Sequence, residues 1–146
     1  QLNPILNNTH YFGLGDIAQI IGEEGGGITI SSIHAARALR ATGGGYVVAH
    51  SQGTSVGGNA ISLVGPEIMK NINYQGVGGQ RFISANGGLN SARNIVNSGD
   101  FVPKLSRGNI YSHISGEWEV HSPTTESGAG FLAPHYFINY EGYLEF

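Results

Sequence analysis

The chain has 146 residues, a net charge of −3, only 12% charged side chains and no cysteine. That is length for one domain with a real core, residues 1–146 taken as a unit. The charge balance offers no basic surface for nucleic acid, and the missing thiols exclude a disulfide framework, a thiolate nucleophile and cysteine-ligated zinc. No apolar run approaches the roughly eighteen residues that span a bilayer, and no signal peptide is visible. The first residue is Gln1 rather than Met, which suggests a processed product or an excised domain.

Apolar segments alternate along the chain, punctuated by 24 glycines, half of them in clusters at 25–27, 43–45, 57–58, 78–79 and 87–88. The clusters have no fixed period, so they mark turns rather than a repeat array. Leu2 to Leu6 reads as a short extended segment and Leu14 to Ile21 as a short helix. Thr29 to Ala41 is a stronger helix, capped by Ser31 or Ser32, with Ile33, Ala36, Leu39 and Arg40 at helical spacing. Tyr46 to Ala49 is a strand, Gln52 to Val64 a helix rich in small residues, and Tyr74 to Ser84 a glycine-interrupted strand. Leu89 to Ile95 reads as a short helix leading into a strand end near Ile95 to Phe101; Asn109 to Val120 looks extended, and His135 to Tyr143 helical. Such alternation predicts an α/β fold, a mostly parallel sheet with helices on both faces, whose sites form at the carboxyl ends of the strands.

The densest signal is Tyr46-Val47-Val48-Ala49-His50-Ser51-Gln52-Gly53. A strand that runs directly into one serine and then into a helix forces that serine into a tight turn, with its hydroxyl clear of the backbone. Ala49 and Gly53, two residues to either side, are small enough for strand and helix to approach. The letters G-x-S-x-G fit Gly53-Thr54-Ser55-Val56-Gly57 better, but Ser55 lies a turn inside the helix whereas Ser51 stands at the junction. Context therefore favours Ser51, against the plainer reading of a Gly/Ser-rich turn. His50 is expected to pack or hydrogen-bond beneath this elbow.

A nucleophilic serine needs a base and a group that orients the base. Asp100 is the only aspartate after Ser51 and sits just past an apolar strand end, although an Asp after Gly is also a common turn residue. Of the later histidines, His135 follows a flexible loop and Pro134 and is favoured as the base, with His121 second. His113, Glu117, Glu119 and His121 would share one strand face. A solvated face is the simpler reading there, and no metal or other cofactor is assigned.

Ala-His-Ser-Gln-Gly after an apolar strand resembles the elbow of bacterial lipases and related α/β-hydrolases. Asn97-Ser98-Gly99-Asp100-Phe101-Val102-Pro103 is similar to the acid loop of class 3 lipases, and His135-Tyr136-Phe137-Ile138-Asn139-Tyr140 to their late His-x-x-x-x-Tyr segment. The likeness covers roughly residues 30–146, in the family's order. It implies a compact or truncated α/β-hydrolase fold and a serine hydrolase of carboxylic esters, with Ser51, His135 and Asp100 as triad. The oxyanion donors would be the backbone N–H groups of Gln52 and of a residue near Ile5. The implied substrate is an ester or lipid, at a membrane-lipid surface or in solution. Similar domains end large secreted bacterial effector proteins, which suggests secretion as part of one. Only fifty residues precede Ser51, fewer than the family's usual complement. A homodimer or partner domain is therefore expected to cover an open sheet edge. The acyl pocket would draw on Phe12, Leu14, Ile17, Phe131, Leu132 and Phe137. The alternative is a binding or structural module on the same fold with an incomplete site.

Overall fold

The computed structural model describes residues 27–100, 103, 118–121, 135 and 137–145. The expected segments Leu2 to Leu6 and Leu14 to Ile21, and most of Asn109 to Val120, lie outside these residues.

Helix α1 spans Ile30–Thr42. Its cap is Thr29 rather than Ser31 or Ser32: Thr29 has extended backbone angles, and its Oγ1 accepts the Ser32 N–H at 3.2 Å. Ser32 instead sits inside the first turn, fully buried, where its own backbone donor needs that oxygen. Strand β1 (Gly45–His50) follows, then α2 (Gly53–Val64), a short helix α3 (Pro66–Met69) and β2 (Ile72–Val77). After a 3₁₀ turn at Ala85–Gly87 come β3 (Ser91–Asn97) and β4 (Glu119–His121). The four strands form one parallel sheet in the order β1-β2-β3-β4. The general α/β class and the parallel sheet are thus as expected.

Three expected elements differ. Residues 89–95 were expected to be helical, yet Ser91 begins β3, paired with β2 on one side and with β4 on the other. The β2 ladder along residues 91–95, continued by the β4 ladder at 95–97, outweighs the helix propensity of Ala92 and Arg93. The strand expected over Tyr74 to Ser84 stops at Val77, where Gly78 turns the chain at φ 54°. Ile83 is then captured by the Asn94 side chain, which accepts from its N–H at 3.0 Å and donates to its carbonyl at 2.9 Å. In place of a terminal helix there are two 3₁₀ turns, Phe137–Asn139 and Glu141–Tyr143. Carbonyls that a helix would use internally go to the sheet: Asn139 accepts from Asn97 Nδ2 at 3.1 Å and Tyr143 from Arg93 Nη1 at 3.1 Å.

Side chains alternate across the sheet as the pleat requires. Ala49, Ile72 and Tyr74 meet α1 and α2 on one face, joined by Ala36, Ala60 and Ile61. Val77 and Ile95 meet Tyr140, Tyr143 and Leu144 on the other. Among the described residues the helices therefore cover one face and the C-terminal 3₁₀ turns the second, in contrast to the expectation of helices on both. Helix α2 seats on the sheet at Gly57 and against the loop after β2 at Gly58. A Cβ at Gly57 would lie 3.5 Å from Tyr74 and 3.6 Å from Ala49, and one at Gly58 only 2.7 Å from Ile83 Cδ1. At Gly53, where close approach was expected, an added Cβ meets no described atom within 4 Å.

Candidate active site

Strand β1 delivers Ser51 to the carboxyl edge of the sheet. Ser51 N–H still donates to Val77 O at 3.1 Å, so the ladder runs through it before the chain reverses. Its φ of 55° is the only positive value at a non-glycine position among the described residues. A left-handed conformation at a serine stores about 1–3 kcal/mol, held in place by its surroundings. Here the restraint is Thr54, wholly buried in the first turn of α2. Its Oγ1 donates to Ser51 O at 2.7 Å and accepts the N–H groups of Gln80 and Arg81, both at 3.1 Å. One hydroxyl thus ties the elbow to the loop after β2. Ser55, the serine with the better letter match, is 1% exposed with its Oγ buried and unpartnered among the described residues.

Asp100 sits three residues past β3, in a turn closed by its own N–H to Asn97 O at 2.9 Å. Its side chain is fully buried. His135 Nδ1 lies 3.1 Å and 3.0 Å from the two carboxylate oxygens, and His135 Nε2 lies 2.8 Å from Ser51 Oγ. With Nδ1 protonated toward Asp100, the lone pair on Nε2 is aimed at the Ser51 hydroxyl. The three residues singled out from the sequence therefore converge, although 49 positions separate the first two (100 less 51).

Two further side chains bear on this group. Tyr140 Oη donates to Asp100 Oδ2 and accepts the Asn97 N–H at 3.1 Å. Burial, and then the hydrogen bond to that carboxylate, pushes the phenol above its ordinary value, so it remains a donor. His50, on the sheet face shared with Tyr140, has Nε2 2.7 Å from His135 O, and its ring centroid lies 4.8 Å from that of His135. Burial, followed by the neighbouring His135, lowers its pKa to about 4, so it is neutral at pH 7. Gly78 lets the backbone pass beneath. A Cβ there would lie 3.0 Å from both Asp100 Oδ2 and Tyr140 Oη, and 3.2 Å from His135 Nδ1.

Gln52 lies at the N-terminal end of α2, with its carbonyl accepting from Ser55 and Val56 at 3.0 and 3.4 Å. Ile5 lies outside the described residues, as do His113, Glu117, Phe12, Leu14, Ile17, Phe131 and Leu132. Phe137 packs edge-on to His50 at 5.7 Å. His121, second choice as the base, stacks on Tyr143 at 4.2 Å and faces Glu119. Glu119 in turn pairs with Arg93 at 2.8 Å, and the guanidinium lowers its carboxyl pKa. That strand face is an ion-pair cluster. The roles of Thr54 and Gly78 had no signal in the sequence beyond a Gly-Gly pair after a strand, because both arise from contacts with distant loops.

The chain matches no protein-family model, no curated protein and no solved structure.

Proposed function

We propose that this protein is a serine hydrolase of carboxylic esters, built on a compact α/β-hydrolase-like fold, with Ser51 as nucleophile, His135 as general base and Asp100 as the orienting acid. The observation that carries the reading is the unbroken hydrogen-bonded series from Ser51 Oγ through His135 to a wholly buried carboxylate. It hangs on a strained serine at a strand–helix junction, the arrangement of a nucleophile elbow.

In the first half-reaction Ser51 Oγ attacks the ester carbonyl carbon as its proton passes to His135 Nε2. Asp100 holds the Nδ1–H and stabilises the imidazolium without taking that proton. The tetrahedral intermediate carries a negative oxygen beside the N-terminal end of α2, where the Gln52 N–H is the proposed donor. Collapse breaks the bond to the alcohol oxygen, which receives the proton from His135, and leaves an acyl group on Ser51. Water then attacks the acyl carbon as its proton passes to His135; the bond to Ser51 Oγ breaks, His135 returns the proton to that oxygen, and the carboxylic acid leaves. Tyr140 supports the carboxylate from behind.

A fluorophosphonate probe tests this directly. Wild type and Ser55→Ala are expected to be labelled at the same rate and Ser51→Ala not at all. Failure of folded wild type to react would overturn the hydrolase reading in favour of a binding module. Labelling that survives Ser51→Ala and is lost in Ser55→Ala would move the nucleophile. Lipid and short-chain ester panels then define the acyl group.

A further inference from the structure

We propose that His50 is a positioning residue: its Nε2–H donates to the backbone carbonyl of His135 while its ring backs the His135 imidazole, locking the base to the strand that carries the nucleophile. The inference rests on the proposed roles of Ser51 and His135.

Three features of the site converge on it. His50 is the last residue of β1 and the immediate neighbour of Ser51, so its backbone is held by the β1–β2 ladder, paired with Val77. The 2.7 Å contact to His135 O is therefore a direct brace between the strand bearing the nucleophile and the segment bearing the base. Asp100 fixes the far side of the imidazole, and Tyr140 and Asn97 fix the segment downstream through the Asn97 bond to Asn139 O. Without His50, the peptide plane of His135 loses the one described contact that ties it to β1, leaving only the reacting hydrogen bond itself. The ring packing matters too. His50 lies 4.8 Å from the His135 ring at an interplanar angle of 34°, with Phe137 and Tyr140 closing the remaining sides at 5.7 and 6.1 Å.

The chemistry requires this neighbour to be uncharged. During acyl transfer His135 becomes an imidazolium, and a second positive ring at that distance would oppose it. Burial keeps His50 neutral at the pH where an ester hydrolase works. A neutral imidazole is one of the few side chains that offers a flat packing surface and a ring N–H donor without a charge. Lys or Arg would bring the donor with the wrong charge, and Phe the surface with no donor.

The test separates donor from ring and uses a readout independent of turnover. Proton NMR of histidine-labelled protein reports the His135 Nδ1–H, which a carboxylate partner shifts far downfield and protects from exchange; Asp100→Asn assigns it. In His50→Phe that signal is expected to broaden or vanish, and fluorophosphonate labelling to slow roughly 10- to 100-fold, as a misplacement of the base by a fraction of an ångström implies. His50→Gln, which keeps an N–H donor, should recover the signal and label within about threefold of wild type. His50→Leu gives the donorless result should the larger Phe ring not be accommodated. A folded Phe or Leu variant with an unchanged downfield proton and unchanged labelling overturns the proposal, as does equal loss in all three variants. No downfield proton in wild type overturns it as well. A His50-dependent proton in a protein that never labels would leave the positioning role standing and remove the hydrolase reading alone.

Discussion

Replacing Thr54 by Val removes one oxygen from the base of the elbow and almost no volume. In the folded protein that oxygen satisfies the N–H groups of Gln80 and Arg81, each at 3.1 Å, and also donates to Ser51 O. Ser51 O keeps its bond from Thr54 N–H at 3.1 Å, so the net loss is the partner of two N–H groups, one buried at Gln80 and one half-buried at Arg81. Each such group costs about 1–3 kcal/mol when buried, which puts Thr54→Val at about 2–6 kcal/mol, a large share of a small domain's stability. Thr54→Ser keeps the hydroxyl and gives up only the methyl that lies over Gly79, for about 1 kcal/mol. Urea unfolding monitored through the single tryptophan, Trp118, which is buried against Phe82, measures both variants. Labelling of Ser51 should fall with Thr54→Val beyond what unfolding explains, because the side-chain tie from its strained backbone to the loop after β2 is gone. A Val variant within about 0.5 kcal/mol of wild type, or a Ser variant as damaged as Val, would refute the role given to the Thr54 hydroxyl.

Three further outcomes follow from the same geometry. The proton on His50 binds near pH 4 in the fold and near 6.5 in the unfolded chain. The unfolded state therefore holds more protons in that window, and stability falls as pH drops through it. Wild type should lose about 3 kcal/mol more than His50→Gln between pH 7 and pH 4, and parallel pH–stability curves would refute a buried neutral imidazole. Ser51→Gly should be more stable than Ser51→Ala by about 1 kcal/mol in thermal unfolding, since only the glycine relieves the φ of 55°. Gly78→Ala places a methyl against Asp100, Tyr140 and His135 at a φ of 54°. It should cost about 2 kcal/mol and abolish labelling, and a fully reactive Gly78→Ala would show that the loop after β2 yields freely.

Much of the site was legible before any fold was known, because its chemistry restricts the residue types and the strand restricts their placement. An apolar run ending at Ser51, the only later aspartate and a late histidine after Pro134 were enough to choose three side chains that meet. The letter match at Ser55 carries no weight once the helix is considered: Ser55 lies in the first turn of α2, past the junction, and is buried. Helix α1 and strand β1 were within a residue or so of their expected bounds, since a capped helix and a Val-rich strand are local patterns.

What tertiary structure alone decided is everything whose partner lies far along the chain. Ser91-Ala92-Arg93-Asn94 is a strand because β2 pairs with it residue for residue, and β4 pairs with its continuation at Ile95 to Asn97. Residues 137–143 form 3₁₀ turns because Asn97 and Arg93 claim carbonyls that a helix would use. Gly57 rather than Gly53 sets the approach of α2, since it is the position that lies over Tyr74. His50, Thr54, Gly78 and Tyr140 acquire their places around Ser51 and Asp100 in the same way. Local sequence encodes periodicity, caps and the residue types a reaction needs. Which donor meets which acceptor is settled only when the chain closes on itself and each buried polar group must find a partner.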